Sequence, residues 1–122
     1  YDIPRIRYQF EELKPDLIIV SHASNVIGLV APVEEIFSLG KTYGAVTLVD
    51  MAQTAGLVDL NAGLETVDFA VFAGHKTLMG PTGISGFIMK SDFDLPSMLF
   101  GGTGYDSANQ QMPSSLPAWR NW

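Results

Sequence analysis

A chain of 122 residues, 47% hydrophobic and 16% charged, has the material for one ordinary domain with a buried core and is too apolar for a disordered segment. Its net charge of −6, with no cluster of Lys or Arg, argues against a nucleic-acid partner, and no apolar run approaches the length of a membrane span. The absence of cysteine excludes disulfides, thiolate metal sites and a cysteine nucleophile within these residues, and is compatible with the expected cytoplasmic location.

The start, Tyr1-Asp2-Ile3-Pro4, has neither a methionine nor a signal-peptide pattern and reads as the interior of something longer. Ile6 to Leu13 is expected to be a short helix with Ile6, Phe10 and Leu13 on one face, stopped by Pro15. Leu17-Ile18-Ile19-Val20 is a continuous apolar run, the pattern of a parallel strand covered on both faces. It ends in the polar loop Ser21-His22-Ala23-Ser24-Asn25. A helix is predicted from Pro32 to about Tyr43, with Val33, Ile36, Phe37 and Gly40 inward, Glu34 and Glu35 at its positive end and Gly44 as its stop. Ala45 to Val49 is a second buried strand ending at Asp50, followed by a brief helical turn over Ala52 to Leu57 and a short segment from Asn61 to Thr66. Asp68 to Phe72 is the third strand. Gly86 to Lys90 is a fourth, reached through a Gly-Pro turn too short for a crossover helix, so its neighbour is antiparallel or a distant strand.

From Ser91 the character changes to a mixed segment, then Gly101-Gly102-Thr103-Gly104, a polar run and the turn-rich Met112 to Pro117. The expectation is an α/β fold: a layered, mostly parallel sheet with flanking helices and one antiparallel strand near 86–90. The 122 residues read as a single partial domain, truncated at both ends, with 101–122 as an irregular interface segment.

Three polar clusters sit at the carboxyl ends of consecutive predicted strands: Asn25, then Asp50 with Gln53, then His75 with Lys76. In an open α/β sheet these ends converge on one crevice. Taken alone, Lys76 reads as a solvated lysine after a strand; in a crevice, desolvation would favour its reactive neutral amine. Asp50 reads equally as a cap for the turn at Ala52 or as a half-buried carboxylate needing a cationic partner. Gln53 shares a side of that turn with Asp50. His75 suits either a phosphate or backbone partners, and His22, with no partner at metal-ligand spacing, reads as structural. Gly74-His75-Lys76-Thr77 is not a nucleotide P-loop, because His75 separates the glycine from the lysine and no glycine lies upstream at the required spacing.

Three segments in this order and spacing, Ser21-His22-Ala23-Ser24-Asn25-Val26-Ile27-Gly28, Val49-Asp50-Met51-Ala52-Gln53 and Gly74-His75-Lys76-Thr77-Leu78-Met79-Gly80-Pro81-Thr82-Gly83, resemble the centre of the class V aminotransferase and cysteine desulfurase family. That family uses pyridoxal phosphate on a type I fold. The resemblance covers roughly Leu17 to Thr103. It implies that Lys76 carries the cofactor as a Schiff base and later moves protons at the substrate α-carbon. It implies that Asp50 bonds the pyridine nitrogen, that Ala52 packs on the ring, and that Gln53 and Asn25 lie near the phenolic oxygen. His75 would contact the phosphate, and Thr103 would reach the phosphate of a neighbouring subunit in a homodimer. Substrate would be a small amino acid. The chain departs from the pattern at Ala73, where many relatives carry serine, and after Pro117, where a Glu-x-Gly-Thr motif is usual. The alternative is a truncated, non-catalytic piece that acts only as a folding or dimerisation unit.

Overall fold

The computed structural model describes residues 1–61 and 65–96. Contacts divide the chain into a unit of residues 1–90 and a second of 91–122, and the fold below is that of the first. The expectations placed on residues 97–122, including Thr103, fall outside the described residues, as does the middle of the 61–66 segment.

Helix α1 spans Ile3–Leu13 and begins earlier than the apolar pattern suggests. The reason is a cap: the Asp2 carboxylate accepts the Arg5 N–H at 3.0 Å, and Pro4 has its fixed φ in the first turn. Lys14 closes the helix in the left-handed region (φ 45°) before Pro15. Strand β1 spans Leu17–Ser21, helix α2 Val33–Lys41 and strand β2 Val46–Asp50. Helix α2 ends at Lys41, short of the expected Tyr43, with Thr42 as its cap in the right-handed region, and Gly44 then turns the chain at φ +76°. Strand β3 spans Phe69–Ala73 and strand β4 Ser85–Met89. The 52–57 segment is a run of turns in which Ala55 N–H donates to Met51 O at 2.9 Å and Val58 N–H to Thr54 O at 3.0 Å, the brief helical turn expected there.

The sheet order is β1-β2-β3-β4. Strands β1 and β2 are parallel, with Ile18 opposite Thr47 and Ser21 opposite Asp50. Strands β2 and β3 are parallel, with Asp50 opposite Val71, and β4 returns antiparallel with Ser85 opposite Ala73. The mostly parallel sheet with one antiparallel strand is therefore the observed fold. The tight β3–β4 connection leaves no room for a crossover, so an antiparallel return is what the chain length allows.

Period-2 alternation and this register put Ile18, Val20, Val49 and Ala70 on one face. That face holds the core, where Val33, Ile36 and Phe37 of α2 pack on it and Ile3, Ile6 and Phe10 of α1 lie against the cluster. Gly40 lets α2 approach closely, since a Cβ there would fall 2.1 Å from Ile18 Cδ1. The opposite face carries Leu17, Ile19, Leu48, Phe69, Val71 and Phe87, and Ile19 and Phe87 are 63% and 59% exposed. The two-sided cover expected for β1 is not what is seen. Among the described residues only one crossover helix, α2, joins parallel strands, and α1 packs beside it.

Asp68 closes the amino end of β3. It is 5% exposed and accepts the Thr47 N–H at 2.8 Å, and its carboxylate pairs with Lys41 and, at 3.3 Å, with Lys90. Burial pushes this carboxyl up, but the Lys41 ammonium, the Thr47 N–H and Lys90 outweigh it and hold it below the usual range. Asp68 reads in the sequence as the first residue of a strand; its role as an ion-pair centre depends on partners distant in the chain. Among the described residues no helix is long and apolar enough to cross a membrane.

Candidate functional site

The parallel order of β1, β2 and β3 sends all three carboxyl ends to one edge of the sheet. Each end opens into a differently built loop. After β1, the chain forms a short hairpin in which Ala23 bridges Val30 and Ser24 N–H donates to Leu29 O at 3.0 Å. The Ser24 hydroxyl accepts the Val26 and Ile27 N–H groups, and Gly28 turns at φ +66°. Asn25 is exposed on this hairpin.

After β2, Asp50 is half-buried, and its Oδ1 accepts the Ala52 N–H at 2.8 Å. The capping reading is thus correct for one oxygen. The other, Oδ2, has no partner among the described residues, so it remains available to a ligand. Met51 N–H donates to Val71 O at 2.8 Å, and Ala55 N–H returns to Met51 O at 2.9 Å, which folds the segment back over the strand end. Ala52 and Gln53 are half-buried in this turn.

After β3, the chain closes a glycine-bounded loop. Gly80 N–H donates to Gly74 O at 2.7 Å, Met79 N–H to Lys76 O at 3.0 Å, and Gly74 N–H to Ile84 O at 2.8 Å. A Cβ on Gly80 would lie 2.9 Å from Gly74 O, so the closure requires glycine. His75 and Lys76 are both exposed at the head of this loop.

An open cleft of about 410 Å³ runs along this edge, lined by Asp50, Ala52, Val71, Phe72, Ala73, Ser85, Gly86 and Phe87. Of the residues expected at the site, Asp50 and Ala52 line it. Gln53 follows directly in the same turn. Lys76 and His75 begin the loop that leaves the cleft wall at Ala73, and Asn25 stands on the neighbouring hairpin. A single half-buried carboxylate among apolar walls suits a flat ring that carries one positive N–H. Ala73 supplies no hydroxyl, and the hydroxyl on this part of the cleft wall is that of Ser85, its partner on β4.

One contact escapes sequence reasoning. His22, 3% exposed, places Nδ1 2.9 Å from Thr54 Oγ1, itself 1% exposed. Burial pushes the His22 pKa down from its ordinary value, and Glu34 opposes this. The structural reading of His22 is right, but the partner is reached only through the fold. The one local signal is that Thr54 falls on the inner side of the turn that begins at Asp50.

Residues 4–116 match the family model "Aminotransferase class-V". The chain belongs to the class V aminotransferase family. Class V aminotransferases and cysteine desulfurases are pyridoxal-phosphate enzymes. Relatives include a probable cysteine desulfurase of Pyrococcus abyssi, 41% identical over 90 residues that make up 71% of this chain and 22% of that protein. Another, from Mycolicibacterium paratuberculosis, is 35% identical over 88% of this chain and 16% of that protein. Among solved structures, the apo cysteine desulfurase of Thermococcus onnurineus NA1 superposes with a TM-score of 0.73 and 35% identity, over 83% of this chain and 26% of that one. A NifS-like protein from Rickettsia africae gives a TM-score of 0.71 at 27% identity, over 87% and 29% of the two chains. This class V chain therefore spans about a quarter or less of the length of these curated relatives.

Proposed function

We propose that this chain is the cofactor-holding centre of a pyridoxal-phosphate enzyme that transforms a small amino acid, as a cysteine desulfurase-like lyase or a class V transaminase. The observation that carries this reading is Asp50: one oxygen tied to the Ala52 N–H, the other without a partner among the described residues, in a cleft at the strand edge that also bears Lys76. The chemistry the cofactor would supply when bound is that of an electron sink for the substrate α-carbon. Asp50 Oδ2 would hold the proton on the ring nitrogen. Ala52 would press on one ring face, while Asn25 and Gln53 would stand near the phenolic oxygen and His75 near the phosphate. Lys76 Nζ would be the amine of covalent attachment and would carry the proton to and from the substrate carbon. Thr103, outside the described residues, is proposed to serve a neighbouring subunit's phosphate in a homodimer.

The test is an absorption titration with pyridoxal phosphate. The wild-type chain should give a visible band that borohydride fixes covalently, and Lys76→Ala should abolish the fixation. Fixation that survives Lys76→Ala overturns the assignment of that lysine. The half-covered sheet favours a second reading, in which this chain alone is a folding or dimerisation unit; absence of the band from the wild-type chain selects it.

A further inference from the structure

His22 touches Asp50, the end of the Asn25 hairpin and the turn after β2. Its backbone N–H donates to Asp50 O at 2.9 Å, and its own carbonyl accepts the Ala31 N–H at 2.8 Å, where the Asn25 hairpin rejoins the fold. Its ring reaches Thr54 in the turn that carries Ala52 and Gln53. Thr54 is in turn fixed at both ends, since its N–H donates to Met51 O at 3.0 Å and its carbonyl accepts the Leu57 N–H at 2.9 Å. Among the described residues, the ring contact is the hydrogen bond that links the hairpin to the turn, and the neighbouring link is that of His22 N–H to Asp50 O at the strand ends.

We propose that His22 is a positioning residue: through Nδ1 and Thr54 Oγ1 it fixes the hairpin bearing Asn25 against the turn bearing Ala52 and Gln53, and so sets the spacing of the groups that flank Asp50. The ring never meets the ligand. It acts by joining two loops that would otherwise move independently. This deepens the pyridoxal-phosphate reading and rests on it for its ligand, while the coupling of the two loops stands without any ligand. Burial favours the neutral ring, which presents Nδ1 as a single donor or acceptor to match a hydroxyl that can serve as either.

Two measurements on this chain decide it. The first is amide hydrogen exchange in wild type and Thr54→Val, which keeps the shape of the side chain and removes the hydroxyl. Protection should fall together in residues 22–31 and 51–58, while that of α2 and β3 stays unchanged. A loss confined to 51–58 overturns the proposal. The second is the pyridoxal-phosphate titration. Thr54→Val and His22→Leu should each weaken binding by about tenfold. The double variant should be no weaker than either single one. His22→Asn, whose amide occupies the place of Nδ1, should restore binding to within about twofold, as should Thr54→Ser. Equal binding by wild type and Thr54→Val also overturns the proposal. If the wild-type chain shows no band, the folding-unit reading of this chain is selected, and hydrogen exchange alone decides the coupling.

Discussion

Asp50, Asp68 and His22 show how differently three polar residues are fixed by the same sheet. Asp50 sits at the end of a strand with one oxygen committed, so Asp50→Asn should leave the fold intact. In the complete enzyme that variant should lose turnover more than pyridoxal-phosphate binding; equal turnover would remove the role proposed for Asp50 in holding the proton on the ring nitrogen. Asp68 is committed throughout. Asp68→Asn should cost about 2 kcal/mol in urea unfolding, because Lys41, Lys90 and the Thr47 N–H lose a charged acceptor. Both residues predict acid sensitivity of a definite sign. His22 has a lowered folded pKa, so the unfolded chain binds its proton first, and this stability is complete above 6.5 and lost as pH falls below it. Asp68 is also lowered, so its contribution is complete above 3.8 and lost below. Urea midpoints of His22→Asn should be flatter than wild type in the upper window, and those of Asp68→Asn in the lower. At this scale Asp50 was legible, because an apolar run that ends in a carboxylate is a local pattern. The Asp68 pairs were not, because Lys41 lies 27 residues away and only the α2–β2–β3 packing brings it near.

Among the elements, the loop after β3 carries the strongest constraints. Gly80→Ala should break its closure, because the added Cβ meets the backbone oxygen of Gly74, which has no freedom to retreat. Loss of the borohydride-fixed band with a lowered melting temperature is the expected pair of results. Thr77 behaves in the opposite sense. Its hydroxyl is buried with no partner among the described residues, so Thr77→Val should be neutral or stabilising by up to about 1 kcal/mol, read as a shift in the urea midpoint. A clear loss of stability would show that the hydroxyl is bonded. Element positions were largely readable because apolar runs and glycine stops are local signals, as for α2 and Gly44. The start of α1 was missed because capping by Asp2 precedes the first apolar residue of the helix. The cover of β1 was misjudged because an unbroken apolar run shows that both faces avoid water in the intact fold, without showing which residues do the covering.

Among the described residues, the sheet face opposite α2 is apolar and partly exposed. Ile19 and Phe87 stand exposed at its two sides, with Leu48, Phe69 and Val71 between them. An apolar surface of this extent drives association in water. Sedimentation velocity should show concentration-dependent self-association of this chain, and Ile19→Thr with Phe87→Thr should reduce it; a monodisperse wild-type monomer would oppose the expectation. The strand order itself was only partly readable. A tight turn after β3 predicted the antiparallel return, whereas the adjacency of β1 to β2 and of β2 to β3 depends on how the intervening segments pack.

The antiparallel return of β4 also bears on the order in which the molecule assembles. The Ala73–Ser85 pair joins positions much closer in sequence than any β1–β2 pair, so closing it costs less chain entropy. The hairpin that carries Lys76 should therefore form early, before the parallel strands find their register. Substitutions at Val71 should slow folding, whereas substitutions at Ile18 should mainly speed unfolding, a contrast that stopped-flow chevrons would show.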